Sequence, residues 1–209
     1  MSPIFDFFLE PYYGRSAYLI VLEAIAFVFG IASVYYAQRR NILVYPTGLI
    51  GTTVTMYLFF HDKLMGDMII NLYYSIMSIY GWWNWARKKD GDLVVHVSRT
   101  NTREKWIGFG LFLLTMSFTY GVYKVYGVAI ETTNYIDIFT SGIFFTAMWY
   151  MATKKLENWT LWIVADLITI PLYAYRGWGM LSLQFVIFTI LAIQGYFAWK
   201  KHLDNPQAA

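Results

Sequence analysis

The chain has 209 residues, of which 58% are hydrophobic and only 14% are charged, whereas soluble domains carry about 25% charged residues, so an ordinary water-soluble protein is excluded. It has no cysteine, which excludes disulfides, thiolate catalysis and cysteine-based metal sites. The net charge of +3 does not indicate nucleic-acid binding, because the basic residues are scattered among the predicted loops.

Seven apolar runs, separated by charged or turn-rich breaks, are each long enough to cross a bilayer as a helix. We therefore predict an all-α integral membrane protein with seven transmembrane helices. The predicted spans are 17–38, 42–60, 67–86, 106–125, 135–153, 158–175 and 179–199. Spans two and six contain Pro46 and Pro171, which are candidate hinges because proline removes a backbone hydrogen bond and permits a bend.

Basic residues are concentrated in alternate connections between the spans. One set of connections holds twelve of them: Arg39, Arg40, Arg87, Lys88, Lys89, Arg99, Arg103, Lys105, Lys154, Lys155, Lys200 and Lys201. The other set holds four: Arg15, Lys63, Lys124 and Arg176. Because short basic loops stay in the cytoplasm, this bias predicts an N-terminus outside and a C-terminus in the cytoplasm.

The ends of the spans resemble each other in pairs. Span three ends in GWWNW and span seven in GYFAW, whereas span one ends in YYAQRR and span five in WYMATKK, each with aromatic residues shortly before a basic pair. A three-span unit starts on one side of the membrane and ends on the other, so one linking span is needed before it repeats in the same orientation. We predict one transmembrane domain over 1–209, a 3+1+3 parallel repeat, with repeat one at 17–86, a linker helix at 106–125 and repeat two at 135–199. Such parallel repeats place a site near the bilayer midplane.

Asp166 is the only charged residue in the apolar run 158–175. A carboxylate at the centre of a membrane helix costs roughly 2.5–3.5 kcal/mol on insertion scales, so it faces protein or water. Four further polar or aromatic residues follow at steps of three and four and share its helix face: Trp159, Trp162, Thr169 and Tyr173. One acid on an aromatic stripe predicts a site for a cationic ring. Aligning Asn41 with Asn158 pairs Asp166 with the apolar Leu49, which predicts a site with a single acid.

Other polar residues suit either a site or the packing of the helices. On span three, Asn71 and Tyr74 share a face, and span seven contributes Gln184. For the amides, a ligand contact and an interhelical hydrogen bond both remain open. For the tryptophans at span ends, interfacial anchoring and ligand contact remain open: Trp82, Trp83, Trp85 and Trp199. Glu23 and Asp137 lie at corresponding outer positions of spans one and five, where they either attract cations or are simply solvated.

Several chemistries find no support in the sequence. It lacks a Walker A element and a Gly-x-Ser-x-Gly element, and its three histidines have no metal-ligand spacing. We therefore expect neither an enzyme nor a bound metal or cofactor. The lysines of span seven lie at its end rather than in its middle, which argues against a retinal protein.

The block GWWNW, the run ENWTLWIVAD and the following IPLYAYRGW resemble the PnuC family of vitamin transporters, and the resemblance covers about 15–200. It implies a SWEET-like fold in the bacterial inner membrane. It also implies uptake of nicotinamide riboside by facilitated diffusion, trapping by phosphorylation in the cytoplasm, and a homotrimer. Relatives in the family carry thiamine, which is also a cationic aromatic ring, so thiamine stays open as the substrate. A sugar carrier and a non-transporting membrane protein are the alternatives from other classes.

Carried over by motif, the resemblance implies that Trp159, Trp162 and Asp166 face the substrate, with Asn158 beside them. The tryptophans would stack on the cationic ring. Asp166 would offset the charge of the ring or bind hydroxyls. The looser matches Asn71, Tyr74 and Gln184 are plausible partners, with the two amides on ribose hydroxyls, and Tyr173 completes the predicted set.

Overall fold

The computed structural model describes residues 8–9, 12–61, 65–89, 91–125 and 131–205, and these ranges contain seven long α-helices. The predicted helical fold with seven long helices is thereby confirmed. The helices are α1 (Ala17–Gln38), α2 (Val44–His61), α3 (Met65–Ala86), α4 (Thr102–Val125), α5 (Thr132–Ala152), α6 (Glu157–Tyr175) and α7 (Gly179–Asp204). Lys63, one of the four basic residues of the less basic connections, lies outside the described residues.

Three of these helices, α1, α4 and α7, are long and apolar enough to cross a membrane on composition alone. The less apolar α2, α5 and α6 carry polar residues on faces that turn toward the interior of the bundle, including Thr52, Ser141 and Asp166. A helix satisfies its backbone hydrogen bonds largely within itself. Such a segment is therefore stable in lipid when neighbouring helices cover its polar side chains.

Two helices begin three or four residues earlier than predicted because their N-termini are capped. Asn101 and Glu104 exchange hydrogen bonds of 2.9 Å between side chain and backbone, so α4 begins at Thr102 rather than at 106. Glu131 and Asn134 form a comparable capping box, so α5 begins at Thr132 rather than at 135. Reciprocal caps of this kind satisfy amide groups that have no partner inside the helix.

The helices pack in two groups, which we call the first half (α1–α3) and the second half (α4–α7). Within the first half, α2 packs against α1 and α3; within the second, α4 packs on α5, α5 on α6 and α6 on α7. The halves meet where α1 contacts α7 and α3 contacts α5. The odd-numbered helices α1, α3, α5 and α7 end together, and we call this the basic end because Arg40, Arg87, Lys154 and Lys200 lie there.

Several contacts recur at a constant spacing of 114 residues. The turn after α1 and the turn after α5 close alike: the amide of Asn41 donates to Tyr36 O at 3.0 Å, and that of Lys155 donates to Tyr150 O at 2.8 Å. Each of these turns contains a basic residue with positive φ, and these are Arg40 (58°) and Lys154 (53°). At the helix ends, Trp85 donates to Met151 O and Trp199 donates to Ala37 O.

The connection between α3 and α4 is held against the second half. It contains two short antiparallel strands, β1 (Lys88–Lys89) and β2 (Asp92–Leu93). Beyond them, the amide of Ser98 donates to Lys154 O, and the amide of Leu156 donates to Ser98 O. This basic connection is therefore fixed to the α5–α6 turn by backbone hydrogen bonds.

The tryptophans at the helix ends separate into two kinds. Trp82 and Trp83 are 41% and 57% exposed, as expected for side chains at a membrane interface. Trp85 and Trp199 are 3% and 0% exposed and belong to the core, so interfacial anchoring is wrong for these two.

The predicted hinge at Pro46 is also wrong, because this proline lies in the first turn of α2, where no intrahelical hydrogen bond is lost. Pro171 is inside α6 and remains a candidate hinge.

Candidate functional site

A cavity of about 460 Å³ lies between the two halves of the bundle. Its walls combine aromatic rings with hydroxyl and amide groups, and both halves contribute. Seven of the residues predicted for the site line it: Asn71, Tyr74, Trp159, Trp162, Asp166, Tyr173 and Gln184. Its size and composition suit one small aromatic molecule with several polar groups.

Asp166 provides the buried charge of this cavity. Its side chain is 1% exposed, and its Oδ1 atom has no hydrogen-bond partner among the described residues. The neighbouring hydroxyl of Thr169 donates to Ala165 O at 2.8 Å and so does not bond to Asp166. A buried carboxylate without a protein partner is costly, and a bound cation offsets that cost. The position therefore favours a positively charged ligand.

Aromatic side chains of the second half surround the approach to Asp166. The ring of Trp162 lies 5.5 Å from that of Phe144, centroid to centroid. Phe185 lies 5.9 Å from Phe144 and 5.3 Å from Tyr173. The cavity is thus lined by a series of π faces, on which a flat cationic ring can stack.

The wall from the first half is polar but uncharged. Thr52 Oγ1 and Ser75 Oγ lie 2.8 Å apart and share a hydrogen bond between α2 and α3. At the 114-residue spacing, Thr52 corresponds to Asp166, so the alignment that paired Asp166 with Leu49 is wrong. The hydroxyl side chains of Thr52, Thr55 and Ser33 also line the cavity and were not predicted. Thr52 and Thr55 stand 114 residues before Asp166 and Thr169, so the spacing between Trp85 and Trp199 is the sequence signal for these two; Ser33 has no such signal, because its counterpart is Ala147.

Gln184 and Asn158 differ in where their amides lie. A Cβ atom added to Gly30 would lie 3.1 Å from Gln184 Nε2, so the amide of Gln184 rests closely against α1 at this glycine. Asn158 is fully buried but does not line the cavity. Its amide nitrogen donates to Lys155 O at 2.5 Å, which holds it in the α5–α6 turn.

The cavity extends to the end of the bundle opposite the basic end. There, Asp137 lines it and accepts a 2.6 Å ion-pair contact from Arg176 and a 3.3 Å hydrogen bond from Tyr123. Because Arg176 offsets its charge, Asp137 is a weaker attractant for cations than Asp166. Glu23, at the corresponding position of α1, accepts a hydrogen bond from Tyr12 at 2.5 Å and does not line the cavity. Among the described residues, no cluster of three or more potential metal ligands is present.

A bundle of long apolar helices around an aromatic cavity with a buried, unpaired acid defines a membrane transport protein. The family model described as nicotinamide mononucleotide transporter matches residues 20–201, so the chain belongs to this family of transporters, and the protein is not an enzyme. The predicted resemblance to the PnuC family is confirmed by the relatives described next.

Three relatives and one solved structure show how far the similarity extends. The nicotinamide riboside transporter PnuC of Escherichia coli K12 is 22% identical over 201 residues, covering 85% of this chain and 84% of that protein. PnuC of Neisseria mucosa is 26% identical and covers 86% and 72%. The riboflavin/roseoflavin transporter RibM of Streptomyces davaonensis is 21% identical and covers 87% and 85%. A crystal structure of the vitamin B3 transporter PnuC superposes with a TM-score of 0.69 at 25% identity, covering 88% of this chain and 82% of that one.

Proposed function

We propose that this transporter takes up nicotinamide riboside by facilitated diffusion. The observation that carries the proposal is the buried, unpartnered Oδ1 of Asp166 in an aromatic cavity. Nicotinamide riboside has a cationic ring, which suits an acid beside Trp159 and Trp162, and ribose hydroxyls, which suit the amides of Asn71 and Gln184. Phosphorylation of the substrate in the cytoplasm would keep it in the cell and maintain inward flux.

The cationic ring also separates the substrates of the family. Riboflavin, the substrate named for RibM, has a neutral ring and gains nothing from a buried carboxylate. Thiamine is cationic and aromatic and therefore remains the alternative. It has one hydroxyl where nicotinamide riboside has a ribose, so the polar wall of Thr52, Thr55 and Asn71 favours the riboside.

Titration of the purified protein tests the substrate. Nicotinamide riboside should quench tryptophan fluorescence with a Kd in the micromolar range or tighter, because Trp159 and Trp162 line the cavity. Thiamine and riboflavin serve as matched competitors and should bind more weakly. Quenching by thiamine alone would assign the site to thiamine, and no response to any of the three would contradict a vitamin carrier.

Transport should not depend on an ion gradient. A coupled carrier needs a second ion site, and Asp166 is the one unpaired carboxylate that we find on the cavity wall in the described part of the chain. We expect uptake into proteoliposomes to reach the same initial rate with and without proton and sodium gradients. Uptake that stops when either gradient is removed contradicts facilitated diffusion.

We also propose how the helices are related to each other and how the chain is oriented in the membrane. The contacts that recur at 114 residues support two parallel three-helix units, α1–α3 and α5–α7, with α4 as the linker between them. The bias of twelve basic residues to four supports a cytoplasmic basic end, with the N-terminus outside, in a bacterial inner membrane. The homotrimer implied by the PnuC resemblance is tested by the mass of the purified complex.

A further inference from the structure

Four aromatic side chains close the cavity at the basic end, and we call them the aromatic seal: Tyr45, Trp85, Trp159 and Trp199. All four are buried, at 0–3% exposure. Tyr45 and Trp159 line the cavity, whereas Trp85 and Trp199 lie behind them. The rings of Tyr45 and Trp85 meet edge to face at 5.1 Å, and those of Trp159 and Trp199 do so at 5.5 Å. Each pair has one counterpart in the other half, 114 residues away.

Contacts within each ring pair belong to one half of the bundle. Tyr45 packs on Gly81 in the first half, and Trp159 packs on Gly195 in the second. A Cβ atom at either glycine would overlap the ring, so the ring of Tyr45 is held closely against α3 and the ring of Trp159 against α7. If one half moves against the other, each ring pair therefore moves as a unit with its own half.

Two hydrogen bonds of the seal cross from one half to the other. Trp85 Nε1 donates to Met151 O at 3.2 Å, and Trp199 Nε1 donates to Ala37 O at 3.0 Å. Each of these carbonyl oxygens also accepts a hydrogen bond from the amide of the residue three positions later, so the indole N–H bonds to the second lone pair of the oxygen. The rings of Trp85 and Trp199 lie 6.1 Å apart between these two bonds. A separation of the halves at this end breaks both bonds and parts the two rings.

The surroundings of the seal also hold it closed. Asn84 Nδ2 donates across the halves to Ala152 O at 2.9 Å. The ammonium of Lys154 lies 4.5 Å from the ring centre of Trp85 and donates to Val95 O. Burial lowers the pKa of Lys154 to about 8, with Arg40 adding to the effect, so the ammonium is still the main form at neutral pH. It can therefore maintain its contact with the ring.

We propose that Trp85 and Trp199 are the inner gate of the transporter. Their indole N–H groups hold the two halves together at the basic end, and the substrate leaves there when both hydrogen bonds break. A carrier must expose its central site to each side in turn by moving one half against the other. The cavity reaches the opposite end at Asp137 and Arg176, whereas the aromatic seal closes it at the basic end. The two tryptophans thus determine how often the site opens toward the basic end.

The absence of native cysteine makes the gate directly measurable. A single Ser78→Cys substitution places a thiol on the cavity wall, and a membrane-impermeant thiol reagent is then applied to either face of membrane vesicles. A separate Lys201→Cys protein, labelled on its exposed side chain, identifies the face that carries the basic end. The assay therefore does not depend on the proposed orientation or substrate.

Phenylalanine at positions 85 and 199 keeps an aromatic ring and removes the N–H donor. Each lost bond should raise the population open toward the basic end by about fivefold. In the Ser78→Cys background, the two factors multiply, so the double variant Trp85→Phe/Trp199→Phe should be modified from the basic face about 25-fold faster than the parent, and a threefold rise is the smallest that the gate allows. Trp82→Phe, on the same helix but outside the seal, is the matched control and should leave the rate unchanged.

A rise below threefold in a folded double variant overturns the gate and makes Trp85 and Trp199 packing residues only. An equal rise from both faces overturns it as well, because it reports general loosening of the bundle. If the double variant does not purify as a folded protein, the two single variants are judged by the same threshold.

Discussion

Replacing Asp166 by asparagine should weaken the binding of nicotinamide riboside by about 10- to 100-fold. Asparagine keeps the shape of the side chain and removes its charge. A charge-assisted contact is worth about 1.5–3 kcal/mol, and each 1.4 kcal/mol is a factor of ten in Kd. The measurement is fluorescence titration of the variant beside the parent protein, together with uptake at a substrate concentration below the parent Kd.

The same substitution should leave the thermal midpoint unchanged or raise it. Asp166 Oδ1 has no described partner to lose, and burying an uncharged amide costs less than burying a carboxylate. Leu167→Ala is the matched control, because Leu167 follows Asp166 on α6 and is 56% exposed on the outside of the bundle. Binding that stays within threefold of the parent, with a lowered midpoint, would make Asp166 a structural residue.

Replacing Gly195 by alanine should destabilise the protein markedly. The added Cβ atom would lie 2.7 Å from the ring of Trp159, which is closer than van der Waals contact allows, so this buried ring must leave its edge-to-face contact with Trp199. Overpacking of this kind costs about 1–3 kcal/mol. In a chain of this length, each kcal/mol shifts the midpoint by about 2–4 °C. We expect a fall in the apparent thermal midpoint, measured in detergent at a fixed scan rate.

Gly110→Ala makes the same chemical change at a helical glycine of α4. A Cβ atom there meets nothing within 4 Å, so this control should match or exceed the parent midpoint, because alanine favours helix more than glycine does. Equal falls for the two variants would show that the loss comes from the backbone and not from contact with Trp159. Weaker substrate binding in Gly195→Ala alone would follow from displacement of the Trp159 ring.

Predictions that depend on local sequence agree well with the structure. Apolar runs predicted the seven helices to within a few residues. The largest difference at an N-terminus is at α4, where the helix begins at a capping box of polar residues ahead of the apolar run. The face carrying Trp159, Trp162, Asp166 and Tyr173 does line the cavity. Both follow from the helix period and from the cost of polar groups in lipid, which act within one segment.

Predictions that depend on how helices rotate against each other were less successful. Asn158 shares the motif with Trp159, yet its amide is held in the α5–α6 turn by Lys155 O. Trp82 and Trp85 lie three residues apart at the end of α3, yet one faces outward and the other is in the core. Aromatic residues near a span end suit the membrane interface and the protein core equally well, so composition does not separate the two.

The sequence by itself determined the class of protein, the number of helices and the position of the buried acid Asp166, because the bilayer imposes hydrophobicity and helix length on each segment separately. Only the tertiary structure decided which side chains meet across the two halves. It placed Gln184 over Gly30 and buried Trp85 beside Trp199. Those contacts depend on close packing between segments far apart in the chain, and no single segment contains the information that specifies them.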